Sequence, residues 1–116
     1  MLFSSDKPIN NKDFIGICCT SNKFINNTVI VPFNCNATKL VFSIRNLANS
    51  VYYKAILYVN NSPTLLNATI ADGSIAFSAI GTQNVNLTEL DLISIYMDFG
   101  DNASLPSGVC VSLVIE

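Results

Sequence analysis

The chain of 116 residues predicts an all-β fold, an eight-stranded jelly-roll sandwich led by an extended N-terminal arm. Three observations carry this. From Thr28 onward apolar residues alternate along short runs, and nowhere do they recur at helical spacing over three turns. Turn signals rich in Asn, Gly, Asp and Pro punctuate the runs at regular spacing. Residues 1–27 lack alternation and carry isolated apolar residues, which suits an arm that orders by docking. The expected division is therefore 1–27 as the connector arm and 28–116 as the sandwich, since a chain of this length supports one core and not two.

The eight expected strands are "TVIVPF" (28–33), "TKLVFSIRN" (38–46), "SVYYKAILYV" (50–59), the stretch around 65–70, "SIAFSA" (74–79), "QNVNL" (83–87), "LISIYMDF" (92–99) and "GVCVSLVIE" (108–116). Eight short strands at even spacing point to a jelly roll. Side chains alternate across a strand, so faces follow from parity. Leu40, Phe42 and Ile44 point inward, as do Val51, Tyr53, Ala55, Leu57 and Val59, then Ile93, Ile95 and Met97, and finally Val109, Val111, Leu113 and Ile115. The same parity turns Tyr52, Ile56, Tyr58 and Cys110 outward.

Half the residues are apolar and only 12% are charged, so Asn, Ser and Thr must supply much of the surface. A net charge of −2 lacks the basic footprint of a nucleic-acid binder. No apolar run is long enough for a membrane span, and the first residues do not form a secretory signal.

Catalysis finds no constellation. The chain has no His to serve as base for a Ser or Cys nucleophile, and its acidic residues fall singly in turns or on strand exteriors. No glycine-rich phosphate loop is present, and the chain reads as a non-enzyme without cofactor. Asp98, Asp101 and Asn102 in "MDFGDNAS" could serve as oxygen ligands for calcium, but a polar loop explains them better, and no metal is expected. Six Asn-x-Ser/Thr sequons, at Asn26, Asn36, Asn60, Asn67, Asn86 and Asn102, arise readily where Thr-rich strands meet Asn turns.

The four cysteines carry the functional question. Cys18 and Cys19 are neighbours, and a bridge between them would need a strained ring, so they want different partners. Cys35 follows the first run in a polar turn, and Cys110 faces outward on the last strand. The spacing C-C-x15-C-x74-C fits no zinc ribbon or finger. Three readings stay open: two intrachain staples, two interchain bridges in which the arm of one copy reaches thiols on others, or four reduced thiols. The outward parity of Cys110 favours the second. So does exposed apolar surface without edge protection, expected if one subunit's sheet edge continues the next subunit's sheet.

Adjacent cysteines in an N-terminal arm, a third at the first strand, eight jelly-roll strands and a fourth within "SGVCVSLVIE" resemble the subunits of Bacillus endospore appendages, the Ena pilus family. The resemblance implies a structural protein that polymerises with copies of itself into a fibre on the spore surface, with a spore-surface anchor protein as the remaining partner. It implies that Cys18 and Cys19 are connector thiols and that Cys35 and Cys110 receive them. It implies synthesis without a signal peptide, and either helical or stacked-ring assembly. The alternative from another class is a trimeric jelly-roll binding module of the tumour necrosis factor or exosporium type.

Overall fold

A computed structural model of the chain describes residues 1–5, 9–16, 20–44, 52–71, 78–99, 104–105 and 109–116. The elements are β1 (Leu2–Ser5), β2 (Ile9–Asn10), β3 (Phe14–Ile15), β4 (Thr20–Ser21), a 3-10 turn at Phe24–Asn26, β5 (Val29–Ile30), β6 (Cys35–Ser43), β7 (Tyr52–Val59), β8 (Ser62–Ala71), β9 (Ser78–Leu87), β10 (Leu92–Phe99), β11 (Ser104–Leu105) and β12 (Val109–Ile115). They form an all-β sandwich. One sheet runs β1-β12-β6-β9 and the other β4-β3-β10-β7-β8, with β5 also on β10 and a small β2–β11 ribbon beside them. Every pairing is antiparallel. Along the paired paths β1-β12-β6-β9 and β3-β10-β7-β8, successive strands change sheet except at the β7–β8 hairpin. Such interleaving has jelly-roll character, the product of nested Greek keys.

Parity placed the core. Leu40, Phe42, Leu57, Ile93, Ile95, Met97, Val111 and Leu113 are all buried, and Cys110 falls on the outer side as expected. The residues of 28–116 thus form two inward faces about one core. Val51 lies outside the described residues.

The strand count and the expected boundary at residue 28 need correction. Twelve strand segments are described, not eight. The run at 28–33 yields only Val29–Ile30, because Pro32 cannot donate to a ladder and the chain turns away toward β6. The separate expectations at 74–79 and 83–87 merge within one strand, β9, which continues through Gly81.

Residues 1–27 do not stand apart as an arm either. β1 extends the first sheet along β12, and β3 extends the second along β10. Phe3, Ile9 and Ile15 are completely buried in the common core. At about 1.5–3 kcal/mol per buried large apolar side chain, these three contribute on the scale of a domain's whole net stability. Isolated apolar residues separated by polar ones gave no period to read, yet each plugs the sandwich.

β3 and β5 lie on the same side of β10, opposite Ile95–Tyr96 and Leu92–Ile93 respectively. They pair with successive stretches of the same side of β10, and β4 pairs on the far side of β3. Between them β4 returns along β3, and Gly16 and Asn27 come together at the base of this segment. The Asn27 side-chain amide donates to the Phe14 carbonyl at 2.9 Å, and the Asn27 carboxamide occupies the space a side chain at Gly16 would need. The Ser4 amide donates to the Gly16 carbonyl at 3.1 Å, tying Gly16 to β1.

Candidate functional site

Of the four cysteines expected to act, Cys35 and Cys110 can be placed, and both are free thiols. Cys18 and Cys19 lie outside the described residues, as do Asp101 and Asn102 of the calcium expectation. Gly16, the last described residue before the cysteine pair, is held to Ser4, and Ser4 stands directly opposite Cys110.

Cys110 sits in a cross-strand row of small hydroxyl residues, with Ser4 on one side, Ser43 on the other and Ser78 beyond. The next row along the same outer face is Leu2–Ser112–Val41–Ile80. The thiol of Cys110 is half-buried among these neighbours.

Cys35 begins β6 opposite Leu87. It lies in an open recess of about 410 Å³ lined by Asn34, Asn36, Asn86, Thr88 and Glu116. Asn36 and Glu116 exchange backbone hydrogen bonds of 2.9 and 2.8 Å, which fix one wall. Cys110 is paired with Ser43, at the far end of β6. Eight residues of extended chain, at about 3.3 Å each, set the two thiols some 25 Å apart. A disulfide needs Cα atoms within about 7 Å, so Cys35 and Cys110 of one copy cannot bond each other.

The outer face of the second sheet holds an aromatic cluster. Phe14 packs edge-on against Phe24 and Tyr58, with ring centroids 5.7 and 5.2 Å apart, and Tyr58 lies 4.9 Å from Tyr96. Burial raises the Tyr58 hydroxyl above the ordinary phenol range, with the Asp98 charge adding to it. Tyr96 is raised likewise by burial, Tyr58 and Asp98. Both phenols stay neutral at physiological pH. Ser94, expected outward, is fully buried and donates to the Ile15 carbonyl at 3.1 Å. The apolar surface expected to lie open at Tyr58 is partly covered by Phe14, which Phe24 backs, and Ile56 and Tyr58 are both half-buried. Beside the cluster, Asn22, Lys23, Phe24, Ile25, Asn60 and Leu92 border an open recess of about 650 Å³.

The edges of the sandwich are unusually uncharged. Neither β8 nor β9, ten residues each, holds one charged side chain. The two strands lie against each other along much of their length, and the Asn67 carbonyl fills the space next to Gly81. Pro63 and an irregular register between Ile56 and Tyr58 interrupt the β8 ladder near its start.

Sequence reasoning passed over the end of the sandwich near Cys35. The Thr88–Asp91 turn places Leu90 at φ 74°, where Gly or Asn is usual. The turn is held by Asp91: its carboxylate accepts from the Thr88 amide at 2.8 Å and from the Asn60 side chain at 3.0 Å. These bonds keep the carboxyl below its ordinary range. Leu90 is 69% exposed, with Phe33 and Ile30 exposed beside it. The only sequence signal was an acidic residue closing a polar turn.

Among the described residues no group of three or more His, Cys, Asp or Glu side chains could hold a metal ion. Among them, too, no helix is long and apolar enough to cross a membrane. The chain matches no known family and no curated protein.

Proposed function

We propose that the chain is a structural subunit that polymerises with copies of itself into a fibre locked by intersubunit disulfides, an extracellular appendage of the endospore kind. The observation that carries this reading is the separation of Cys35 and Cys110. Two half-buried thiols about 25 Å apart on one sheet, Cys35 packed against the core and lining an open recess, cannot satisfy each other, and they suit contacts made at two different places on the subunit. The adjacent Cys18 and Cys19 supply the thiols that reach them from neighbouring copies. Polymer growth by contact between copies is supported by β8 and β9, which carry none of the Lys that soluble β proteins use to block pairing, although within one copy the two strands lie against each other. A contact between two different surfaces repeats without closing on itself, and so builds fibres.

Embedding of residues 1–5, 9–15, 20–21 and Phe24 in the sandwich leaves Cys18 and Cys19 themselves to carry the connector role in this reading. Under this reading the protein has no catalytic activity, needs no cofactor, and works outside the cell on a spore surface. Electron microscopy of protein purified in reductant and dialysed into air tests it. Filaments of uniform width are expected. Discrete particles under all conditions, with the 650 Å³ recess then the best candidate ligand site, would favour the trimeric binding module instead.

A further inference from the structure

The outer face of the second sheet brings two phenols together. The chain has four tyrosines, and their strand positions send them to different places. Tyr53 faces inward and is buried against Phe99, with 5.2 Å between ring centroids. Tyr52 lies opposite Ala71, and its hydroxyl donates to the Asp98 carboxylate at 3.5 Å. Tyr58 and Tyr96 stand on neighbouring strands, Tyr58 opposite Ser94 and Tyr96 opposite Ile56, which makes their rings diagonal neighbours on one face. Their centroids are 4.9 Å apart and their planes 38° from parallel. That separation lies at the short end of the range for aromatic pairs, about 4.5–7 Å. Phe14 closes the group from β3, 5.2 Å from Tyr58 and 5.0 Å from Tyr96, and holds both rings in place.

From this geometry we infer that Tyr58 and Tyr96 are a coupling pair, which peroxide acting through a haem peroxidase joins into a dityrosine that staples β7 to β10. Both rings are half-buried, so an oxidant reaches them while their neighbours keep them together. Burial and the Asp98 charge keep both phenols protonated at neutral pH, so each is oxidised by loss of an electron together with its hydroxyl proton. Hydrogen peroxide takes up one electron and one proton from each phenol and is reduced to two waters. The two phenoxyl radicals join through a carbon–carbon bond between ring carbons next to their hydroxyls, and the hydrogen on each of those carbons moves to oxygen to restore the phenol. The product has lost two hydrogens, and a single bond between the rings lets them keep a mutual tilt. The staple ties together strands that β8 and β9 separate in sequence, which restricts the unfolded chain as any cross-link closing a long loop does. It needs no thiol and is independent of the self-assembly reading.

The test treats the whole chain, at low concentration, with hydrogen peroxide and a haem peroxidase, then runs it on a reducing denaturing gel, which opens disulfides and leaves carbon–carbon bonds. Dityrosine fluorescence is expected in the monomer band, and tandem mass spectrometry of a digest should find the peptides holding Tyr58 and Tyr96 joined and lighter by two hydrogens than their sum. Tyr58→Phe and Tyr96→Phe, which keep the rings and their packing, should each abolish the monomer fluorescence, and Tyr52→Phe should leave it unchanged. The cross-linked monomer should unfold at a higher urea midpoint than untreated protein. Fluorescence confined to dimers and larger species, a link made through Tyr52 or Tyr53, or monomer fluorescence that survives Tyr58→Phe would overturn the pairing, as would its complete absence from oxidised wild type. An unchanged urea midpoint in the cross-linked monomer would overturn the staple. Circular dichroism shows that the variants fold, and the wild-type digest decides the pairing without them.

Discussion

Cys35 and Cys110 occupy opposite ends of one sheet, the first opening β6 and the second paired with Ser43 where β6 closes. Because no rotamer change spans some 25 Å, any bond either makes is to another thiol. Replacing Cys18 and Cys19 together with Ala should leave the fold intact, and fibres of that variant should dissolve in hot detergent. Fibres that withstand the treatment unchanged would remove the pair from the locking mechanism. Each bridge contributes roughly 2–4 kcal/mol by the chain-entropy estimate, but between subunits its larger effect is kinetic, since a covalently held copy cannot leave.

Phe3 tests whether the N-terminal residues belong to the domain. Its side chain is completely buried, on a strand paired with β12. Phe3→Ala should cost about 3–5 kcal/mol by loss of transfer energy and the cavity left behind. Urea unfolding of the monomer in reductant measures it. An effect under 1 kcal/mol would return residues 1–5 to the status of a dispensable arm.

Gly81 is one place where the two long strands meet. A methyl group there would strike the Asn67 carbonyl, which is backbone and cannot swing aside as a side chain would. Gly81→Ala should therefore destabilise by about 1–3 kcal/mol or more, the range for overpacking. A midpoint in urea unchanged from wild type would show that β8 and β9 are free to part.

The Asp91 carboxylate sets a pH dependence of known sign. Its folded value lies below the ordinary carboxylate range because the Thr88 amide, and then Asn60, donate to the charged form. The stabilisation is therefore complete above the unfolded value, near pH 4, and is lost as pH falls through the lowered folded value. Asp91→Asn should be less stable than wild type at neutral pH and should converge with it below that window. Parallel stability curves down to pH 2 would show that the carboxylate does not hold the turn.

How much of this was legible in the sequence follows from what each segment had to bury. Alternation in 40–44 and 109–113, and in 92–99 save at one residue, reported which face met the core, because each of these strands has one side against the opposite sheet. Ser94 broke the rule because its hydroxyl is buried against β3, where it donates to the carbonyl of Ile15, 79 residues away in sequence. The pairing of Phe3 with Val111 and of Phe14 with Tyr96 was invisible for the same reason: two- to four-residue strands carry no period, and their partners lie more than 80 residues distant. Cys110 could be assigned outward from parity alone. The recess at Cys35 and the exposed Leu90 depend on a left-handed turn and on hydrogen bonds between 31–34 and 88–91, which no local pattern announces.

The most direct measurement is a denaturing gel of protein assembled in air, run with and without reductant. The account predicts a ladder, or material held in the well, that collapses on reduction to one band at 12.6 kDa. A single monomer band in both lanes, migrating faster without reductant, would place the disulfides within one chain and contradict the fibre.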